Sequence, residues 1–458
     1  MMQSAAHEFI QKHDDQGKKA NSLYQIFWRW HFYGGIIFAP FLILLAISGA
    51  LYLYQSEIET MLYKDKLIVQ QGEKTVPLSL QTEAVKKEFP NAEIGSVRLP
   101  KEGNRATLVK ISENDVITQV YVDPYTAKVT GTILDDKHFK NVIAKLHSEW
   151  IVGGTFVNRL VELAACWTVI ILVTGLYIWW PRNKLSLRGT LFPRLKKNGR
   201  IFWRDLHAVT AFWLSLMILI LIITGLPWSD VMGEQVNKLA TSAEAGYPTY
   251  AWTAPKAKNT TDEVAEDIPW ATENNPVPVS ERADSKLSLD QVMYLAHENK
   301  IQKPYTISNP VGEDGVYTVA SSRDKPENEA TVYFNQYNGE IVEEIRFSDY
   351  GWMAKAISIG IAIHEGHYFG LANQLLGTVA ALGLIVIVIF SLIMWKKRKP
   401  RGKLGIPKKS DKKRKPWLLG LILITGVLMP LAGISFILVY LLDRFIIPKI
   451  KPLQVWLS

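Results

Sequence analysis

Four histidines carry the most chemistry in this sequence: His31, His147, His207 and His364, in the strings WRWHFYGG, AKLHSEW, WRDLHAV and AIHEGHYFG. Each lies within or just before an apolar stretch long enough to cross a bilayer. A neutral imidazole is a good axial ligand for heme iron, and two facing helices can supply one above the ring and one below. His31 and His207 each follow a Trp-Arg pair, Trp28-Arg29 and Trp203-Arg204, at one end of their segments. His147 and His364 stand at the entrances of two segments that run the other way. Paired by depth, His31 with His207 and His147 with His364, they would hold two noncovalent b-type hemes, one per leaflet. Iron with both axial positions filled by histidine carries electrons and does not activate oxygen. Arg29 and Arg204 suit two roles, as partners of heme propionates or as basic anchors at the membrane edge.

The remaining histidines act as internal controls. His7 and His13 fall in a polar N-terminal stretch, His297 in an amphipathic helix and His138 some way before the second apolar segment, all reading as surface residues. His367 is different, because HEGH sets it three residues from His364 on a shared helix face. It is an alternative ligand for the outer heme. With Glu365 it could instead form a metal site, although HExH lacks the spacing of the HExxH zinc motif. Arg159 and Glu162 stand three apart at the start of the second apolar segment, a spacing that permits an ion pair. The single cysteine, Cys166, excludes an internal disulfide, a four-cysteine cluster and a covalent CxxCH heme site.

The elements that must position these residues are membrane helices. The chain has 458 residues, 48% of them hydrophobic, with 15 Trp, 18 Tyr and a net charge of +9, which fits a polytopic membrane protein in contact with lipid. The expected fold is a mainly α bundle of five transmembrane helices at 27–55, 151–181, 204–228, 356–396 (with HEGH at its outer entrance) and 417–446. Pro430 is read as a tolerated kink in the fifth. Two short segments, 182–203 and 397–416, are strongly basic and belong in the cytoplasm with the tail 1–26. The long segments 56–150 and 229–355 then lie outside, as does the C-terminal tail 447–458. The positive charge is therefore a topology signal, and nucleic-acid binding is not expected. The first helix would serve as an uncleaved signal.

Two internal repeats stand out. LSLQTEAVKKEFPNAEIGSVRLP (78–100) with QVYVDPYTAKVTGTI (119–133) parallels LSLDQVMYLAHENKIQKPYTISNP (287–310) with TVYFNQYNGEIVEEI (331–345). Each predicts a serine-started helix and an antiparallel hairpin, hence two small extracytoplasmic α+β domains. The first three apolar segments end in ISGALYLY, VTGLYIWWPR and ITGLPWSD, a Ser/Thr-Gly step followed by interfacial aromatics. Residues 241–285, with Trp252 and Trp270, read as an irregular excursion.

These strings resemble the core segments of the PepSY-associated transmembrane family, and the two hairpins resemble its PepSY domains. The resemblance covers residues 22–400 or so. It implies an iron-regulated inner-membrane protein, and the ferric-siderophore reductases in the family bind two hemes at positions that map onto His31, His147, His207 and His364. The expected activity is therefore heme-dependent reduction of an extracytoplasmic acceptor, a ferric siderophore or other iron chelate. No GxGxxG fingerprint is present, so the electron donor would be a separate flavoprotein, NAD(P)H through a partner, or quinol. One rival reading is a non-redox regulator whose PepSY domains bind peptides or a cell-surface protease. Another is a transporter, which the apolar helix centres disfavour.

Overall fold

The computed structural model describes residues 2–150, 152–181, 187–243, 245–246, 259–283, 285–321, 325–407, 416–446 and 449–457. In chain order the helices are α1 (Met2–Leu53), α2 (Gln55–Leu62), α3 (Lys64–Leu67) and α4 (Leu78–Glu88), then, after four strands, α5 (Phe139–Glu149), α6 (Thr155–Trp179), α7 (Arg200–Gly225), α8 (Asp230–Ser242), α9 (Thr261–Val264) and α10 (Leu289–Glu298). Four further strands precede α11 (Trp352–His364), α12 (Leu371–Arg398), α13 (Pro416–Leu428), α14 (Pro430–Leu441) and α15 (Lys451–Leu457). Two compact units divide the chain. One takes residues 1–50, 147–234 and 375–458, the other 51–146 and 235–374.

The first unit is helical. Among the described residues, four helices are long and apolar enough to cross a membrane: Leu23–Leu53, Thr155–Trp179, Arg200–Trp228 and Leu371–Arg398. The expected fifth span at 417–446 is a correction. Met429, at φ −141° and ψ 81°, separates α13 from α14, and Pro430 opens α14 where its missing N–H costs nothing. The two short helices fold back on each other, with Gly426 against Gly433, and a Cβ on Gly433 would collide with the Gly426 backbone. After the hairpin, the C-terminal segment returns to the loop that preceded it: Leu404 and Ile406 donate their N–H groups to Trp456 and Leu457 carbonyls, at 2.7 and 3.2 Å. The described C-terminal residues therefore lie at the same end as the 397–407 segment, against the expectation for 447–458. Phe38, Trp167, Cys166, Ala432 and Phe436 form part of the unit's apolar core. Trp167 Nε1 donates to Ser435 Oγ at 2.9 Å, satisfying a donor that would be costly in that setting.

The second unit is built on a sheet. Strands β1 (Glu93–Leu99), β2 (Thr107–Glu113), β3 (Val116–Val122) and β4 (Val129–Leu134) come from one repeat, and β5 (Tyr305–Ser308), β6 (Val316–Ser321), β7 (Ala330–Asn335) and β8 (Ile341–Arg346) from the other. The two expected α+β domains share one antiparallel sheet in the mirror order β4-β3-β2-β1-β5-β6-β7-β8. At the junction Val97 pairs with Ile307 and Leu99 with Tyr305. These side chains, with Leu78 and Val85 of α4 and Val292 and Ala296 of α10, make one core. Ser288 caps α10, accepting from Gln291 N. Ser79 does not cap α4. Asp290 of the second repeat does, accepting from Leu78 N at 2.6 Å and Ser79 N at 3.3 Å.

The 259–280 part of the expected excursion is ordered against this sheet: Thr261 Oγ1 meets Tyr333 OH at 2.6 Å, and Thr272 Oγ1 meets Thr331 Oγ1 at 2.9 Å. Trp252 lies outside the described residues.

Candidate functional site

Of the four singled-out histidines, the structure brings His31 and His207 together. Their rings, on α1 and α7, have centroids 6.1 Å apart and planes inclined by 71°. Each Nδ1 faces a backbone carbonyl: His31 Nδ1 lies 3.0 Å from Ile171 O of α6, and His207 Nδ1 3.0 Å from Ile387 O of α12. A carbonyl only accepts, so each Nδ1 carries the proton and each Nε2 keeps its lone pair. Two nitrogen–metal bonds of about 2 Å, one on each side of an ion, place imidazole centres roughly 6 Å apart. The tautomer and the separation both suit a metal gripped between two Nε2 atoms. Bis-histidine heme iron is the group that this donor set fits.

His147, near the end of α5, has its Nδ1 2.9 Å from Ser48 Oγ of α1. His364 is the last residue of α11 and belongs to the other compact unit. Beyond His364 the chain turns through Gly366 at φ +85°, where a Cβ would meet Leu53 Cδ2 at 2.7 Å. The turn directs Glu365 and His367 at each other. His367 Nε2 lies 3.2 Å from Glu365 Oε2, and Tyr52 OH donates to Oε1 at 3.0 Å. Burial works against charge on Glu365, but the His367 hydrogen bond, the Lys140 ammonium and Tyr52 outweigh it and bring the carboxyl down to about 2. His367 is thus engaged by a carboxylate through Nε2. Among the described residues no group of three or more His, Cys, Asp or Glu is placed to hold a metal ion directly.

The matched family model is the PepSY-associated TM region, aligned to residues 28–398. The chain belongs to this family. All five histidines of the membrane-edge set fall inside the matched region. A search of curated proteins found no match.

Several neighbouring residues have settings that sequence reasoning did not give. Arg204 donates from Nη2 to Asp205 Oδ1 at 2.7 Å, and Arg194 reaches both oxygens of the same carboxylate at 2.7 and 3.0 Å. Arg29 donates to Pro407 O at 2.8 Å and to Tyr33 OH at 2.7 Å. Both arginines therefore have protein partners. The expected Arg159–Glu162 pair is absent: Arg159 bonds Asp230 at 2.6 Å, while Glu162 accepts from Val231 N and Met232 N at 2.8 and 3.1 Å and caps α8. His138 is a second correction. It is 7% exposed, with Nδ1 3.2 Å from Glu59 Oε1 and its ring against Tyr63, because the turn before α5 folds onto α2.

Proposed function

We propose that this protein is a transmembrane di-heme b oxidoreductase of the bacterial inner membrane. His31 and His207 would hold the inner heme, His147 and His364 the outer, and the extracytoplasmic sheet would receive the electron acceptor. When bound, the hemes supply one-electron carriers held in a water-poor bundle. His31 and His207, each held at Nδ1 by a carbonyl, would offer Nε2 to such a group, and apolar side chains would surround it. The basic segments support an inner site toward the cytoplasm, where a flavoprotein or the quinol pool would be the donor. A ferric siderophore is the acceptor that the family resemblance suggests. It takes up one electron per iron, and the Fe(II) formed is held weakly by a chelator built for Fe(III). Outer-sphere transfer needs no acid, base or nucleophile, so no catalytic side chain is assigned.

The observation that carries this reading is the His31–His207 pair, with two rings at metal-bridging distance and both Nδ1 atoms committed to carbonyls. Protein purified in mild detergent should show a Soret band, sharp bands on reduction and two hemes per chain. His31→Ala and His207→Ala should each remove the same heme, and His147→Ala the other. Full heme content in all of these single variants would overturn the assignment, as would a colourless protein that takes up no added hemin.

A further inference from the structure

The Ser/Thr-Gly step that recurs at the ends of the first three apolar segments has a use beyond close helix packing. In α1 the step is Ser48-Gly49, and Ser48 Oγ lies 2.9 Å from His147 Nδ1. In α6 it is Thr174-Gly175, and Thr174 Oγ1 lies 3.5 Å from His31 Nδ1, alongside the closer Ile171 carbonyl. The direction of these contacts is set by where each hydroxyl proton goes. Ser48 donates to Leu44 O at 2.8 Å and Leu45 O at 3.2 Å. Thr174 donates to Ile170 O at 2.6 Å and Ile171 O at 3.2 Å. A hydroxyl has one proton, and in both cases the helix's own carbonyls are placed to take it. What remains toward the imidazole is a lone pair. Each hydroxyl can only accept, so the ring must present Nδ1–H to it.

The glycine completes the arrangement. A Cβ at Gly49 would lie 3.3 Å from His147 Cε1, and one at Gly175 would lie 2.9 Å from His31 Cε1. The imidazole edge occupies the space that any other residue would fill. The exchange is reciprocal, since α1 provides the step for His147 and receives a step for His31 from α6. We infer that Ser48-Gly49 and Thr174-Gly175 are matched imidazole cradles that fix the Nδ1–H tautomer and orientation of His147 and His31. They are positioning residues for the two heme sites.

A ligating imidazole whose other N–H is held by an acceptor is the more basic ligand, and loss of such a partner commonly weakens metal binding by about 10–100-fold. The effect is larger for Fe(III) than for Fe(II), because the more electron-rich ring stabilises the higher charge. The two cradles differ in strength. His31 has a carbonyl at 3.0 Å that is closer than its hydroxyl at 3.5 Å, whereas the hydroxyl contact of His147 is short, at 2.9 Å.

The inference rests on the heme assignment for its functional meaning, but its geometry can be tested without heme. In heme-free protein labelled with ¹⁵N-histidine, His147 and His31 should both be Nδ1–H tautomers at pH 8. Ser48→Ala should release His147 to a tautomer mixture while leaving His31 unchanged, and Ser48→Thr should restore it. Ser215→Ala serves as a control, because Ser215 Oγ back-bonds Phe212 O in α7 in the same way. An Nε2–H tautomer at His147 in the unsubstituted protein, or no response to Ser48→Ala, overturns the cradle whether or not heme binds. In the holoprotein, Ser48→Ala should raise one midpoint potential only. A tenfold loss of preference for the ferric state corresponds to about 59 mV for this one-electron couple. A protein that binds no heme while showing the expected tautomers would sink the heme reading and leave the cradle standing.

Discussion

The charged residues at the edges of the helices work as caps and clamps. Glu162, 2% exposed, would be an expensive carboxylate at the end of an apolar helix without partners. It has them in the N–H groups of the second and third residues of α8, Val231 and Met232, which lie 69 and 70 residues further on. Asp205, 1% exposed, is the common acceptor for Arg194 and Arg204, and through Arg194 it ties the basic segment to the start of α7. The exposed guanidiniums can return to water if that carboxylate is lost, so the cost falls on the ordering of the segment. Asp205→Ala should lower stability by about 1–3 kcal/mol. It should also speed trypsin cleavage at Arg194, Lys196 and Lys197, read by gel as the rate at which the chain is cut there. Unchanged cleavage would mean that the segment is held by something else. None of these pairings was legible in the sequence. An i,i+3 spacing suggested Arg159 with Glu162, but nothing local signals that the N-terminus of another helix will need a carboxylate more.

Helices and strands were legible wherever one pattern ran unopposed. The apolar runs that carry His31 and His207, and the one that follows His147, give long helices, and the two hairpin repeats give β3–β4 and β7–β8. Hydropathy alone misread 417–446, because a helical hairpin that stays in an apolar setting is as uniformly apolar as a span. The missed signal is chemical: Gly426, Pro430 and Gly433 bracket Met429, giving a helix start and a glycine–glycine contact close enough for a tight return. A similar limit applies to the Ser/Thr-Gly steps, whose repetition was visible but whose partners, His147 and His31, sit on other helices. The hairpin makes a topological prediction. A reporter fused after the C-terminal residue should fall on the same side of the membrane as one inserted into the 397–407 segment. Gly433→Leu, which would put a side chain into the Gly426 backbone, should weaken or open the hairpin and make the two reporters disagree in part of the population. Opposite sides in the unsubstituted protein would restore a single fifth span.

At the scale of the whole molecule, each compact unit is assembled from distant pieces of chain, and this is why the joined sheet could not be read in advance. Each repeat predicts its own strands, but the β1–β5 pairing depends on residues more than 200 positions apart. Uniting the repeats also leaves acids in poor surroundings for charge. Glu329 leads into β7, near Tyr350 and near Ser358 of α11; burial, reinforced by Glu327 and Glu365 and opposed by those two nearby hydroxyls, pushes its carboxyl up to about 8. Glu273, in the segment crossing the sheet, is raised to about 7 by burial and by Asp262. The sign of the consequence follows from which state holds the proton. Between the ordinary glutamate value of about 4.3 and about 8, folded Glu329 keeps a proton that the unfolded chain has released. Stability therefore falls as pH rises through that window and levels off above it. With solvent screening allowed for, Glu329 should contribute a loss of about 1–2 kcal/mol between pH 5 and 8, or roughly 2–8 °C in melting temperature. Glu329→Gln, which keeps the shape of a protonated glutamate and cannot ionise, should flatten most of that slope and leave the smaller part due to Glu273. Thermal melts at pH 5, 6.5 and 8 check this, and equal slopes in the two proteins would show that Glu329 ionises normally where it sits.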